Sequence, residues 1–148
     1  MNLEWRRAAE GDLDLLAAWN HQLIRDEGHR NPMDLTQLRE RMRGWLEQDY
    51  QAVIFSMNAP VAYALFRATV AEIYLRQLFV VPELRRKGLG RRAVEILRQE
   101  IWPAHVRLTV EVLCAHAAGV EFWRAIGYRD YALTLEIMPD GTAPAGLS

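Results

Sequence analysis

The sequence predicts an α/β protein in which helices cover both faces of one mixed, mostly antiparallel sheet. Apolar residues switch repeatedly between the alternate spacing of strands and the three-to-four-residue spacing of helices. Two strand-like runs are also joined by a short turn at residues 58–60, which is typical of an antiparallel hairpin. The resulting order is β-α-α-β-β-β-α-β-α-β, and 148 residues suit a single domain spanning residues 1–148.

The first third of the chain is expected to contain a strand and two helices. Residues 3–7 alternate like a short strand, and Asp12 precedes apolar residues at helical spacing, which predicts a helix over residues 13–26. Helix-breaking residues at 28–32 end that pattern. Thr36 is then predicted to cap a second helix.

The middle of the chain predicts three strands and a helix. Apolar runs at residues 52–55 and 61–66 form the hairpin, and a longer run extends over residues 73–81. Pro82 ends this strand, because proline cannot donate to a sheet. The helical period then resumes and predicts a helix that continues to Pro103.

The last part of the chain predicts a strand, a short helix and a final strand. Residues 107–113 form the first of these, and residues 117–126 form the helix, which Gly127 ends. The final strand lies within residues 128–138, where four apolar side chains alternate with other residues: Tyr131, Leu133, Leu135 and Ile137. The tail from Pro139 is predicted to be frayed.

Composition and charge exclude several classes of protein. Hydrophobic residues make up 51% of the chain and charged residues 25%, which excludes wholesale disorder. The formal net charge of -1 favours neither nucleic acid nor an anionic membrane as a partner. No apolar run reaches the roughly 18 residues of a membrane span, and no signal peptide is evident, so a cytoplasmic protein is expected. The single cysteine, Cys114, excludes an internal disulfide, and no metal site is predicted.

A basic turn with two glycines connects the strand that ends at Pro82 to the following helix. Five of the eight residues 85–92 are cationic, and Gly88 and Gly90 let a ligand approach the backbone, where the first N–H groups of the helix have no partner. Each of these cations destabilises the helix by about a few tenths of a kcal/mol, because it lies at the positive end of the helix dipole. A destabilising cluster at this place indicates that an anion binds to it. The turn therefore predicts a pyrophosphate cradle, and an ordinary basic helix start is the alternative.

The spacing of this turn resembles the acyl-CoA signature of the GNAT superfamily of acyl-CoA-dependent N-acetyltransferases. That signature has Arg or Gln, two residues, Gly, one residue, then Gly or Ala, and residues 85–90 match every required position. The resemblance implies acetyl-CoA as co-substrate, with the pyrophosphate bound by the backbone N–H groups of residues 86–90. The cofactor-binding residues of the turn are Arg85, Arg86, Lys87, Gly88, Leu89, Gly90 and Arg91. It also implies that the strand at Leu78, Phe79 and Val80 hydrogen-bonds the pantetheine like an added strand.

The resemblance extends to the next helix with changed residue identities. Where the family has Asn, Ala and Tyr, this chain has His116, Gly119 and Trp123 at the same spacing. The resemblance implies that Trp123 lies at the cofactor. His116 is expected either to contact the pantetheine or to cap the helix over residues 117–126. Cys114 lies in an apolar stretch without a basic partner and is not expected to be a nucleophile.

Glu111 is the first candidate for the general base. Residues 110–112 look like the same segment of bacterial ribosomal-protein alanine acetyltransferases, whose base is the Glu at this place. Glu72 on the neighbouring strand is the second candidate. A base is needed because an alkylammonium group is deprotonated in only about one part in 2,500 at pH 7. The apolar neighbours Val110 and Val112 predict that the Glu111 carboxyl is buried, with a raised pKa.

Trp123 lies at the position where the family often has a tyrosine that acts as the general acid. Its indole N–H donates a hydrogen bond but is not an acid. A water molecule or another, nearby tyrosine would therefore have to donate the proton to the leaving thiolate. The CoA thiol has a pKa of about 8.5 and leaves with little help. The leading function is transfer of an acetyl group to a primary amine of a small molecule or peptide by direct attack in a ternary complex. A catalytically weak acyl-CoA-binding or regulatory module is the alternative.

The polar connection between the first two helices borders the acceptor site in the GNAT superfamily. The candidates for acceptor binding are Asp26, Glu27, His29 and Arg30. Because the four side chains have mixed charge, they do not indicate a particular substrate. The alternative interpretation is that they form a solvated loop without a binding role. Trp5, Trp19 and Trp45 are expected to pack against the core or the sheet rather than to bind a ligand. A homodimer is left open.

Overall fold

Five strands form the central sheet of the computed structural model, which describes residues 2–140. The strands are β1 (Glu4–Arg7), β2 (Tyr50–Met57), β3 (Ala59–Ala68), β4 (Glu72–Val80) and β5 (Arg107–Val110). They lie side by side in the order β1-β2-β3-β4-β5. Each neighbouring pair is antiparallel except β4 and β5, which are parallel. The predicted hairpin is the pair β2 and β3.

Helices cover both faces of this sheet. They are α1 (Leu13–Glu27), α2 (Leu35–Glu47), α3 (Leu89–Ile96) with a π-helical turn at Leu97–Ile101, and α4 (Ala117–Ile126). α1 and α2 pack against the face that carries Ile54, whereas α3 packs against the face that carries Phe55. The predicted fold class is therefore confirmed. None of the described helices is long and apolar enough to cross a bilayer.

The strand β2 shows how the sequence produces this two-sided arrangement. Ala52, Val53, Ile54 and Phe55 form a continuous apolar run, and each is at most 3% exposed. Successive side chains of a strand point to opposite faces, so a strand covered on both faces needs apolar residues throughout. Ala52 and Ile54 accordingly contact the α1 and α2 side, and Val53 and Phe55 contact the α3 side.

The start of α2 differs from the prediction, because Asp34 rather than Thr36 caps it. The Asp34 carboxylate accepts a hydrogen bond from the Gln37 N–H at 2.8 Å, and the Gln37 side chain accepts one from the Asp34 N–H at 2.9 Å. This reciprocal capping box satisfies two backbone donors and fixes the helix start two residues earlier. The end of α1 agrees with the prediction, since Gly28 terminates it with a φ of 74°.

The C-terminal part of the fold departs furthest from the prediction. β5 ends at Val110 rather than continuing to residue 113, and the predicted final strand within residues 128–138 is wrong. An alternating pattern gives a segment one apolar face, but a strand also needs a neighbouring strand with which to pair. The sheet of the described residues ends at β5, and residues 128–138 do not pair with it. The alternating side chains are consequently exposed, at 85% for Tyr131, 71% for Leu133, 84% for Leu135 and 98% for Ile137. Most of the predicted frayed tail, residues 141–148, lies outside the described residues.

β4 and β5 separate as they approach the glycine turn. Their pairing runs from Glu72 opposite Arg107 to Leu75 opposite Val110, and β4 then continues to Val80 while β5 has ended. The register between β3 and β4 also shifts by one residue, which leaves Arg76 as the extra residue of a bulge. An unpaired strand edge at residues 76–80 therefore lies next to the turn.

Candidate active site

The glycine turn has the backbone geometry of an anion cradle. Gly88 has a φ of 82° and Arg86 a φ of 62°, so the chain reverses sharply before α3 begins at Leu89. Within the described part of the chain, the backbone N–H groups of residues 86–91 have no acceptor. A Cβ built on Gly88 would meet no atom within 4 Å, so a ligand has room to approach this backbone. Free N–H donors and nearby cations suit a phosphate group.

Gly90 has a different reason to be glycine. A Cβ at this position would lie 3.2 Å from Cζ and 3.3 Å from Cε1 of Phe122, a residue of α4. The small residue therefore allows α3 and α4 to approach each other beside the turn. The two glycines of the signature thus have different roles: Gly88 allows the turn its positive φ, and Gly90 leaves space for Phe122 of the neighbouring helix.

Arg85 joins the turn to α1 and to the end of β4. Its Nε donates to the Val80 carbonyl at 2.8 Å, and its Nη2 donates to Asp26 Oδ2 at 2.6 Å. The guanidinium also lies 5.3 Å from the centre of the Phe79 ring. The Arg85 side chain therefore positions the elements around the cradle, and the carbonyl of Val80 already has a donor.

Glu111 and Tyr74 form a hydrogen-bonded pair where β4 and β5 separate. The Tyr74 hydroxyl donates to Glu111 Oε1 at 2.5 Å. Burial, followed by the hydrogen bond to Glu111, holds the pKa of the Tyr74 hydroxyl well above its usual range, so this hydroxyl keeps its proton. The Glu111 side chain is exposed, and the expectation that Val110 and Val112 bury it is wrong because Glu111 lies just beyond the end of β5.

Glu72, the second candidate base, lies at the opposite end of β4. Its carboxylate accepts hydrogen bonds from Arg107 Nη1 at 2.8 Å and from Thr109 Oγ1 at 3.2 Å, and these contacts join β4 to β5. The strand rises about 3.3 Å per residue, which places Glu72 roughly 25 Å from the glycine turn. The structure therefore does not bring Glu72 to the cradle, whereas Glu111 is near the open strand edge.

His116 immediately precedes α4 and Trp123 lies within it, and both side chains are partly buried. His116 begins the helix, but its side chain makes no capping hydrogen bond, and its ring lies against Gly119. Trp123 makes edge-to-face contacts with Phe122 at 4.8 Å and with Tyr128 at 5.4 Å between ring centres. The Tyr128 hydroxyl is buried without a partner, and burial raises its pKa to about 12.

The four acceptor-site candidates between α1 and α2 all have polar partners. Asp26 binds Arg85 at 2.6 Å, and Glu27 lies 3.3 Å from His29 Nε2. Arg30 donates to both carboxylate oxygens of Glu136, at 2.9 and 2.8 Å. The structure thus brings Asp26 to the cradle and connects Arg30 to the C-terminal segment.

A group of cationic and aromatic side chains on the α2 face was not indicated by the sequence patterns. The arginine–tryptophan cluster consists of Arg41, Trp45, Tyr50 and Arg76. The Arg41 and Arg76 guanidinium groups lie 4.3 and 4.6 Å from the centre of the Trp45 ring, and Arg76 Nη1 contacts the Tyr50 hydroxyl at 3.3 Å. The only signal in the sequence was Arg76, a charged residue inside the apolar run of β4. The structure shows that its side chain contacts Trp45 and Tyr50.

The other tryptophans pack as expected. Trp19 stacks on Tyr63 and on Phe79, with ring centres 6.0 and 5.4 Å apart, and Trp5 packs against the core on the other face. Trp45 also packs against the core, although its ring carries the two arginines. None of the three therefore needs a ligand to explain its position.

Comparison with models of protein families assigns the chain to a family. A family model described as an acetyltransferase (GNAT) domain matches residues 18–139, which is most of the chain. The chain therefore belongs to the GNAT acetyltransferase family. Comparison with curated proteins gives no match.

Solved structures of low sequence identity share the fold. Aminoglycoside N-acetyltransferase AAC(6')-Iy, in complex with the bisubstrate analogue CoA-S-monomethyl-acetylneamine, aligns with a TM-score of 0.72 and 11% identity over 92% of this chain and 97% of that chain. A structure from Clostridium acetobutylicum with acetyl-CoA aligns with a TM-score of 0.70 and 16% identity over 93% and 96%. An acetyltransferase from Thermus thermophilus aligns with a TM-score of 0.72 and 22% identity over 87% and 88%.

Proposed function

We propose that this protein transfers an acetyl group from acetyl-CoA to a primary amine of a small molecule or peptide by direct attack in a ternary complex. The observation that carries the proposal is the arrangement of three features along β4: the Tyr74–Glu111 pair where β4 and β5 separate, the open strand edge at residues 76–80, and the free N–H groups of residues 86–91 beyond the end of the strand. A donor held by the last two would present its acyl end toward the first.

The cradle suits the diphosphate of acetyl-CoA. The N–H groups of residues 86–91 would bind the phosphate oxygens, while Lys87 and Arg91 supply positive charge. The open edge at residues 76–80 would hydrogen-bond the pantetheine amides as an added strand does. His116, at the start of α4, and Trp123, within α4, would then lie beside the bound cofactor. Solved relatives that hold CoA or acetyl-CoA support this choice of donor.

Glu111 is the proposed base. The acceptor arrives as an ammonium ion, and its proton passes to the Glu111 carboxylate, directly or through water. The freed nitrogen lone pair forms the new C–N bond at the thioester carbonyl carbon, the C–S bond breaks, and the sulfur leaves as a thiolate. The nitrogen loses its second proton as the amide forms, and that proton passes to the thiolate or to water. Tyr74 keeps its proton, so it orients Glu111 by donating to Oε1 rather than competing for the acceptor's proton.

A weak acyl-CoA-binding module is the second candidate function. Trp123 favours it, because an indole cannot protonate the leaving thiolate and the ring is held between Phe122 and Tyr128. This candidate shares the cradle with the first and differs only in turnover.

One experiment separates the two functions. Calorimetric titration with acetyl-CoA measures binding, and release of free thiol in the presence of a panel of primary amines measures transfer. Binding with amine-dependent thiol release supports the acetyltransferase, and binding without release from any amine supports the module. Absence of binding would overturn both.

A further inference from the structure

The arginine–tryptophan cluster places two cations together without a matching anion. Arg41 and Arg76 approach the same Trp45 ring, and no carboxylate of the described residues lies within 4.0 Å of either guanidinium. The two like charges repel each other, and partial burial strengthens the repulsion. Burial and the charge of Arg76 together hold the pKa of the Arg41 guanidinium below its usual range.

Unsatisfied donors accompany these charges. The Arg41 Nε is buried without an acceptor, and so is Nδ2 of Asn20, a residue only 1% exposed. Asn20 Oδ1 accepts from Arg41 Nη2 at 3.2 Å, which places the two unsatisfied groups side by side. Buried donors without partners cost free energy, so their persistence indicates a ligand that accepts hydrogen bonds.

The cluster adjoins the proposed base. Tyr74, which hydrogen-bonds Glu111, is close enough to Arg76 and Tyr50 for both to influence its hydroxyl. Arg67 connects the same groups, because its guanidinium lies 5.4 Å from the centre of the Tyr50 ring and 5.5 Å from that of Tyr74. One small molecule could therefore contact both the cluster and Glu111.

We propose that Arg41 and Arg76 bind an anionic group of the acceptor, so that the substrate is an amine that also carries a carboxylate or a phosphate. The anion accepts hydrogen bonds from the two guanidinium groups, while the ammonium group lies toward Glu111. Acceptors with several ammonium groups are disfavoured because they would meet the same two cations. This inference rests on the proposed function, since it names the acceptor of that reaction.

Matched acceptors test the proposal. The set contains ω-amino carboxylates of increasing length, aminoalkyl phosphates of the same lengths, and the corresponding neutral carboxamides. Wild-type kcat/KM for the preferred anionic acceptor should exceed that of its carboxamide by about tenfold to hundredfold, mainly through KM, as expected of charge-assisted hydrogen bonds. The better of the two anionic series identifies the anion. Equal kcat/KM across all three series would overturn the proposal.

Arginine variants locate the preference. Arg41→Gln and Arg76→Gln should each reduce the ratio between anionic and neutral acceptors, and Arg76→Lys should restore part of it because the charge remains. Arg39→Gln is the matched control, since Arg39 lies on the same helix and already pairs with Asp14 at 2.7 Å. A ratio that survives in both Gln variants would assign the preference elsewhere.

A binding measurement separates this inference from the proposed function. The indole NMR signal of Trp45, assigned with Trp45→Phe, is followed during titration with 4-aminobutyrate and with butylamine. A shift with the amino acid alone, lost in Arg76→Gln, supports the anion site even if no transfer occurs. Transfer without any such shift would retain the proposed function and overturn the anion site.

A second inference comes from the exposed C-terminal segment, residues 129–138. Salt bridges hold it at both ends, from Arg124 to Asp130 at 2.6 Å and from Arg30 to Glu136 at 2.8 Å. Among the described residues, its backbone makes no hydrogen bond to another backbone group. Four large apolar side chains are at least 71% exposed, which is unusual for a monomer's surface: Tyr131, Leu133, Leu135 and Ile137.

This segment is complementary to itself in one antiparallel register. With Thr134 opposite Thr134 of a second copy, Tyr131 faces Ile137 and Leu133 faces Leu135, so every apolar residue meets an apolar partner. A register shifted by one pair places Asp130 opposite Glu136, and the opposite shift places Tyr131 opposite Pro139. The first alternative sets like charges together, and the second removes a backbone donor.

We infer that residues 129–138 pair antiparallel with the same residues of a second copy, about a two-fold axis at Thr134. The pairing satisfies backbone groups of both segments and places the four apolar side chains of each copy beside those of the other.

Cysteine crosslinking tests this register. In a Cys114→Ser background, Thr134→Cys should form an intermolecular disulfide under mild oxidation, because facing residues of antiparallel strands lie at a suitable distance. Ala132→Cys is the control, since residue 132 would lie roughly 13 Å along the strand from its counterpart. Light scattering should give a dimer for the wild type and a monomer for Leu135→Glu. A monomeric wild type, or equal crosslinking of the two cysteine variants, would overturn the inference.

Discussion

Two regions of this molecule bury their residues very differently. In the core region, formed by β1 to β4 with α1 to α3, residues such as Val53, Ile54, Phe55, Tyr63 and Leu65 are fully buried. In the edge region, formed by β5, α4 and residues 128–138, neither β5 nor α4 contains a buried residue. The boundary between the regions is where β4 and β5 separate; Glu111 lies at the start of this separation, and the cradle follows the end of β4. Stability therefore comes mainly from the core region, and the proposed ligand sites lie where burial is incomplete.

The largest expected effect is a loss of turnover at the boundary. Glu111→Gln should retain acetyl-CoA affinity and lower kcat by roughly 10²–10⁴, because the amide keeps the size of the side chain but cannot accept the proton. Steady-state kinetics and calorimetry measure the two effects. Glu72→Gln is the matched control, and its kcat should change little because its carboxylate joins β4 to β5. A normal Glu111→Gln enzyme beside an impaired Glu72→Gln enzyme would reverse this assignment.

A substitution in the core region should lower the stability of the protein and leave the arrangement of residues where β4 and β5 separate unchanged. Phe55→Ala is expected to lower the free energy of unfolding by about 3–5 kcal/mol, because the side chain is 0% exposed and leaves a cavity. Phe122→Ala in α4 should cost only about 1 kcal/mol, since that residue is partly exposed. Urea unfolding of the two variants gives the comparison. Equal losses would mean that the edge region contributes as much stability as the core region.

Gly88 tests the cradle that follows the end of β4. Gly88→Val should weaken acetyl-CoA binding roughly a hundredfold or more, because a β-branched residue is strained by about 1–3 kcal/mol at a φ of 82° and its side chain fills the approach to the backbone. Gly44→Ala in α2 is the control, where a Cβ also meets open space. That variant should bind normally. Unchanged affinity in a folded Gly88→Val protein would remove the cradle from the proposed function.

The smallest expected effect concerns Tyr128 in the edge region. Its buried hydroxyl has no partner, so Tyr128→Phe should raise stability by about 1 kcal/mol. Burial raises its pKa from 10.0 to about 12, so the unfolded chain loses this proton first and the contribution of Tyr128 to stability is lost as pH rises from about 10 to about 12. Thermal melting between pH 8 and 12 should show a smaller decline for the variant. An identical decline would assign the loss to other tyrosines.

Local chemistry alone determined several features of this protein. The helix break at Gly28, the hairpin, and the glycine turn before α3 all follow from residues that act on their own backbone, so the sequence predicted them correctly. The spacing of residues 85–90 also led to the family, because a phosphate cradle is built from neighbouring backbone groups.

Tertiary structure decided the features that depend on a distant neighbour. The alternation of residues 128–138 predicts a strand, yet a strand needs an edge to pair with, and the described sheet offers it none. Glu111 is exposed because β5 ends one residue before it, whatever its apolar neighbours suggest. Arg41 and Arg76 are 35 positions apart and meet only because α2 packs against the face of the sheet to which Arg76 points. Sequence patterns report what a residue does to its own backbone, whereas its charge environment is set by the elements that pack around it.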